Sequence, residues 1–284
     1  MKTVKALAGI VMGTIIFAFL YASVHAETTA CRTCEGVTAG SPREVRIEYR
    51  DGTVRAVCGL RCAGAALAAY RDKRVEKIRV REHGTGNLLD AAKAVWVIDT
   101  GTGAFEPFSG RQEAEAFSAA RGGRVVNYAD MMAAVFSSMG DRVRDMKPRI
   151  GVVTGDDIAR HPDCLYCGMD RKKFAFSRVL LKYSDGTEVG LCSLHCAGLD
   201  LALHPEKQPG QIFAGAYDTG KLLDAEKAVW VLGGSKYGVM SLRGKWAFET
   251  RDAAAAFMRD FGGVPSDFGA VMRAAYEDMW EIIR

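Results

Sequence analysis

The sequence has no dense Lys/Arg tract of the kind that follows a phosphate backbone. Its 38 basic and 34 acidic residues leave a formal net charge of only +4 over 284 residues, so nothing in its charge argues for nucleic acid as a partner. Arg142, Arg144, Lys147 and Arg149 gather in one place, where a solvated linker accounts for them. No nucleophile–base pair, phosphate-cradling glycine loop or pair of catalytic carboxylates stands out, which argues against an enzyme. Beyond residue 26 no run is long and apolar enough to cross a bilayer. The composition, 49% hydrophobic and 25% charged, is that of a globular protein and too apolar for disorder.

What is present begins with a leader. Lys2 and Lys5 make a basic start, Ala6 to Leu20 is apolar, and Val24-His25-Ala26 offers small residues at a cleavage position. Residues 1–26 therefore read as an export signal cut after Ala26. The rival reading is an uncleaved N-terminal anchor; a lipid anchor is disfavoured because Thr28-Thr29-Ala30 before Cys31 lacks the apolar residue of a lipobox. Export places eight cysteines in an oxidising compartment, where disulfides are the default expectation.

The remainder repeats itself. Cys31-Arg32-Thr33-Cys34 aligns with Cys164 to Cys167, Tyr49 to Thr53 with Tyr183 to Thr187, and Cys58 and Cys62 with Cys192 and Cys196. Thr85 to Val97 matches Thr219 to Val231 at all but two positions. A period of this size predicts two domain-sized repeats: residues 27–140 and 156–284, with a linker at 141–155.

Within each repeat the hydrophobic period predicts an α+β fold. Glu44 to Tyr49 alternates as a half-buried strand, Asp51-Gly52 is a hairpin turn, and Thr53 to Val57 returns. Ala63 to Tyr70 reads as helix and Val75 to Val80 as a third strand. The same plan recurs with strands at Ala94 to Ile98 and around Phe105 and a helix from Arg111 to Ala120 ended by Gly122-Gly123. Each repeat is thus a pair of ββαβ modules, closed by a helix at Asp130–Met139 or Ser266–Ile283. Methionines 131, 132, 139 and 146 fall where helical core is expected rather than ligands. Trp96 and Trp230 are expected in the core, Asp90 and Asp224 at turns, His204 at a helix end and His83 at the surface.

A Cys-x-x-Cys pair, a hairpin and a Cys-x-x-x-Cys pair opening a helix can bring four thiols together, as in zinc-knuckle and treble-clef sites. The i, i+4 spacing puts Cys192 and Cys196 on one helical face, and a helix N-terminus favours thiolate. The expected metal-ligating groups are Cys164, Cys167, Cys192 and Cys196 in the second repeat and Cys31, Cys34, Cys58 and Cys62 in the first. The second repeat adds soft donors that the first lacks. Met169 follows Cys167-Gly168, His195 stands where the first repeat has Arg61, and Met240 lies in an insertion, Gly234 to Met240. A four-thiolate structural zinc site needs none of these. A Cu(I) transfer site would use them, because thioether and imidazole bind Cu(I) and let it go. The second repeat is therefore the candidate transfer site and the first the candidate structural one.

Cys164-x-x-Cys167-Gly168-Met169, Tyr217-Asp218-Thr219-Gly220 with Leu223-Asp224-Ala225, Val239-Met240, Ala247-Phe248 and Gly262-Gly263 together resemble the NosL family, copper-binding accessory proteins of nitrous oxide reductase maturation. The resemblance covers most of the second repeat and, more weakly, the first. It implies periplasmic Cu(I) binding, delivery to an apo-metalloenzyme or other copper-accepting protein, and Cys167, Met169 and Met240 as Cu(I) ligands. This chain departs from the family in its duplication, in lacking a clear lipobox, and in adding Cys192 and Cys196. Two other readings stand beside it: a module binding Zn2+ or another heavy metal in both repeats, and a thiol–disulfide oxidoreductase using a Cys-x-x-Cys pair.

Overall fold

The computed structural model describes residues 30, 31, 33, 34, 36, 38, 41–70, 72–145 and 156–283. The leader at 1–26 and most of the expected linker lie outside these. In the first repeat, β1 (Val45–Tyr49) and β2 (Val54–Val57) form a hairpin, followed by α1 (Leu60–Ala69), β3 (Val75–Arg81) and the short β4 (Leu88–Asp90). A second module follows: β5 (Val95–Ile98), β6 (Phe105–Phe108), α2 (Arg111–Arg121) and β7 (Arg124–Val126), closed by α3 (Tyr128–Asp145). The second repeat opens with one helical turn, α4 (Asp157–Arg160). It then runs through β8 (Val179–Tyr183), β9 (Glu188–Leu191), α5 (Leu194–Leu203), β10 (Pro209–Gly215) and β11 (Leu222–Asp224). Its second module is β12 (Val229–Leu232), β13 (Lys245–Phe248), α6 (Arg251–Phe261) and β14 (Val264–Ser266), and α7 (Phe268–Ile283) closes it.

The fold is mixed α+β, with four small antiparallel sheets ordered β2-β1-β3-β4, β9-β8-β10-β11, β6-β5-β7 and β13-β12-β14. Each ββαβ module puts its first strand in the centre, so one topology occurs four times. The hairpin turn follows from its residues. Gly52 takes φ +81° and Gly186 φ +88°, the left-handed region that glycine enters without a Cβ penalty. The Asp51 carboxylate accepts the Thr53 N–H at 2.9 Å, and Asp185 does the same for Thr187 at 2.8 Å.

Two differences from the sequence expectation have simple causes. β4 and β11 pair as fourth strands with β3 and β10; three residues each are too short to show a period. α3 continues to Asp145, past Met139 and into the stretch read as linker. Polar residues there follow the exposed face of a helix as readily as a loop. Asp90 and Asp224 end β4 and β11 and open the turns that follow, each accepting the N–H two residues on at 3.1 Å. His204 is the C-terminal cap of α5. His83 is only half exposed, set between the rings of Phe108 and Phe117 with Nδ1 2.9 Å from Glu106.

The second-module sheets are buried on both faces, which is why Val95-Trp96-Val97 reads as a continuous apolar run. Trp96 and Trp230 point into the main core, while Val97 and Val231 face small apolar clusters under α2 and α6. The main core is continuous across the repeats. α1 packs on α5 and α3 on α7, with Phe136 stacked on Trp280 at a ring separation of 6.0 Å. Met131, Met132 and Met139 are buried in this core.

Close approach of α3 to α7 depends on Gly140, where a Cβ would stand 2.5 Å from the Arg273 Cα. Gly140→Val should therefore lower stability by about 1–3 kcal/mol through overpacking. Thermal unfolding of the full chain checks this; an unchanged or raised midpoint would refute the close helix contact.

Candidate metal centres

Each cysteine group is assembled by a loop, a hairpin and a helix. In the second repeat the chain turns tightly after Cys164, with Gly168 at φ +68°. The Cys164 N–H donates to the Met169 carbonyl at 2.9 Å, and the Gly168 N–H to the Cys164 carbonyl at 2.9 Å. The β8–β9 hairpin then delivers Cys192 just beyond its second strand, and the first turn of α5 presents Cys196. The first repeat repeats the design with Cys31, Cys34, Cys58 and Cys62. In both groups the four sulfurs lie within 4.8 Å of one another.

The spacing fits a tetrahedral ion. Metal–sulfur bonds of ~2.3 Å give a tetrahedron edge of about 3.8 Å. The observed separations are 3.5 Å (Cys167–Cys192), 3.7 Å (Cys192–Cys196) and 3.9 Å (Cys167–Cys196). In the first repeat Cys34–Cys58 is 3.3 Å and Cys58–Cys62 is 3.5 Å. All eight cysteines are unbridged, and these separations exceed the ~2.05 Å of a disulfide. The donor chemistry and spacing therefore fit a thiophilic cation at each group.

Charge makes the same point. Thiol hydrogen bonds from Cys192 and Cys196, with N–H groups of Cys167 and Tyr166, hold the Cys164 thiol far below its ordinary range against the opposing effect of burial. Cys192 is pushed up mainly by its hydrogen bond to Cys164, and Cys196 by Cys164, Cys192 and burial. In the first repeat burial raises Cys31, yet N–H groups of Cys58, Thr33 and Cys34 outweigh it and bring it to about 7. Burial pushes Cys58 up to about 12, and burial with the neighbouring thiols raises Cys62 further. In each group one thiol is thus held towards thiolate while two neighbours are pushed away from it, an imbalance that a bound cation would relieve.

The surroundings of the two groups differ. Behind Cys192, the fully buried Arg171 donates to the carbonyls of Leu191 (3.1 Å), His161 (2.6 Å) and Val179 (3.2 Å) and to the Asp157 carboxylate (2.8 Å). Arg178 holds the other side of Asp157 at 3.0 Å. At the same offset from the second knuckle cysteine the first repeat has Thr38, and before its first strand it has Glu44, buried and paired with Arg46 and Arg81. A second buried carboxylate, Asp200, accepts from Tyr166 at 2.7 Å and from Tyr183. It ties the knuckle to α5 one turn beyond Cys196; the first repeat has Ala66 there.

Each group opens into a cavity walled by the other repeat. Tyr166, Cys167, His195, Cys196 and Met240 line one of about 720 Å³ together with the end of α1, Leu67 to Ala69. Cys34, Cys58, Cys62 and Arg61 line another of about 410 Å³ with the end of α5, Leu201 and Ala202. The two helices are therefore antiparallel, each carrying its own cysteine in its first turn and walling its partner's cavity with its last.

The structure thus brings together the four thiols of each repeat and places His195 and Met240 on the cavity that Cys167 and Cys196 also line. Met169 is not on that cavity: its carbonyl closes the knuckle, and its side chain is half-buried against the core. Asp157, Arg171, Arg178, Tyr166, Tyr183 and Asp200 carry no spacing signature. Setting the repeats side by side, Ala66 against Asp200 and Thr38 against Arg171, is the one sequence signal that could have marked them.

The NosL family model matches residues 157–276. Among solved structures, the copper chaperone NosL from Shewanella denitrificans aligns at 20% identity over 42% of this chain and 95% of that chain, with a TM-score of 0.34. No curated protein matches.

Burial disfavours the Asp157 carboxylate, but Arg178 and Arg171 outweigh it and hold its pKa below the usual range. A depressed carboxyl pKa stabilises the fold fully above the unfolded value of about 3.9 and loses that contribution as pH falls through the folded value. Asp157→Ala leaves two buried guanidinium groups uncompensated and should cost about 3–5 kcal/mol. Urea unfolding at pH 7 measures this, and a loss under 1 kcal/mol would refute the bracing role.

Proposed function

We propose, from the premise that residues 157–276 form a NosL domain, that the chain is an exported copper(I)-binding chaperone. In this reading the second repeat holds the ion for delivery to a copper-accepting protein. The observation that carries it is the cavity joining Cys167 and Cys196 to His195 and Met240. Thiolates supply affinity for a soft monovalent cation, while thioether and imidazole are neutral donors that leave without a charge penalty. Cys167 is the exposed member of its group, so it is where an incoming ligand first meets the ion. Transfer is ligand exchange: an acceptor donor adds to Cu(I) as a thioether or thiolate of this chain departs, with no change of oxidation state. Met169, which the family resemblance also names, lies off that cavity, half-buried against the core beside the knuckle. The leader in residues 1–26 would place this work outside the cytoplasm, in the periplasm.

A second reading applies to the first repeat alone. There Arg61 stands in place of His195 and no thioether follows the knuckle. An all-thiol group with these neighbours fits a retained Zn2+ that stabilises the fold.

Competition between the reduced full chain and a Cu(I) chelator tests the first reading. Met240→Ala should weaken Cu(I) binding about tenfold, or ~1.4 kcal/mol, and leave Zn2+ binding unchanged; a comparable loss in Met169→Ala would add that thioether to the ligand set. Unaltered Cu(I) affinity in both variants would remove the thioethers from the ligand set.

A further inference from the structure

Met240 is the one non-glycine with positive φ, +58°, among the described residues. A thioether side chain at that φ costs about 1 kcal/mol or more and persists only where its surroundings dictate it. Its loop runs from Gly233 to Gly244, whose N–H and carbonyl close it at 2.8 Å. The first repeat has no such loop.

The loop is fastened to α7 by a charge cluster around the buried Asp278. Arg243 meets the Asp278 carboxylate twice, through its backbone N–H at 3.0 Å and Nε at 2.7 Å. Its Nη2 donates to Glu277 at 2.8 Å and to the Ala274 carbonyl at 3.1 Å. Lys245 donates from the strand side to Asp278 at 2.7 Å and to the Arg243 carbonyl at 2.9 Å. The side chains of Lys245 and Asp278 are 4% and 2% exposed. Buried charges of this kind are poor sources of stability compared with apolar residues of the same volume, and their established use is to fix a unique arrangement. At the matching positions the first repeat has Thr102 for Lys245 and Ser138 for Asp278. Loop and fastening are therefore both particular to the repeat with Met240.

We infer that Arg243, Lys245 and Asp278 are positioning residues that hold the Met240 thioether at the thiol cavity. This rests on Met240 being a Cu(I) ligand, as proposed above. The cluster fixes both ends of the segment following Met240: Arg243 three residues on, Lys245 at the first position of β13. Freed from α7, the loop would relax Met240 towards negative φ and swing its side chain away from Cys167.

The test compares Met240→Ala, Arg243→Ala and Asp278→Asn in the reduced full chain, alone and combined. Arg243→Ala leaves the Lys245–Asp278 pair in place, so folding is retained in at least one variant and is verified by thermal unfolding. Loss of a residue supporting a metal ligand typically costs about 10–100-fold in affinity. Arg243→Ala and Asp278→Asn should each lose Cu(I) affinity at the low end of that range, about the tenfold of Met240→Ala, and lose nothing further when combined with it. The methyl NMR signal of Met240 should shift in metal-free Arg243→Ala and Asp278→Asn, and Zn2+ affinity of the thiols should hold. Losses that add to that of Met240→Ala, or an unmoved methyl signal with unchanged Cu(I) affinity, would overturn the positioning role while leaving Met240 a ligand. If Met240→Ala alone has no effect, the ligand reading fails and the inference falls with it.

Discussion

Four sulfur atoms drawn within 4.8 Å of one another, on cysteines that are half-buried or buried except for Cys167, are the constraint on which each repeat depends. Neutral thiols have weak reason to converge, and thiolates repel; the thiolate form of Cys31 raises Cys58 and Cys62, and that of Cys164 raises Cys192 and Cys196. A cation reverses the sign of that interaction. The knuckle turn, the hairpin and the N-terminus of the following helix are the parts that hold the sulfurs at the edge lengths of a tetrahedron. The rest of the repeat keeps those three parts in register.

Duplication adds a second level. Because α1 and α5 lie antiparallel, the end of each helix walls the cavity of the other repeat, and one core serves both. The two centres then share a scaffold while their surroundings diverge. The first keeps thiols, an arginine and a paired Glu44. The second gains a histidine, a thioether loop and three buried carboxylates, Asp157, Asp200 and Asp278. Each carboxylate joins segments of chain that the cysteines alone leave unattached: the β9 end to α4, the knuckle to α5, and the Met240 loop to α7.

Much of this was legible in the residues. The repeat, the paired modules and both cysteine groups follow from alternation, from Asp51-Gly52 and Asp185-Gly186, and from cysteine spacing. Local chemistry dictates those features. β4 and β11 were not legible, being three residues each and formed only by pairing. The full length of α3 was hidden because its last turns are polar. The ion pairs were hidden for a deeper reason: Arg171 and Asp157, or Arg243 and Asp278, meet only through tertiary folding. The cavity that includes His195 and Met240 but not Met169 likewise depends on how the repeats pack.

The central claim is that the two centres differ in metal, with copper in the second repeat. The direct measurement is metal content of the reduced full chain under anaerobic competition between Cu(I) and Zn2+, repeated with Cys164→Ser/Cys192→Ser and with Cys31→Ser/Cys58→Ser. The account predicts Cu(I) lost with the first pair of substitutions and retained with the second, which should remove zinc. Zinc held equally by both repeats, with no copper retained, would contradict it.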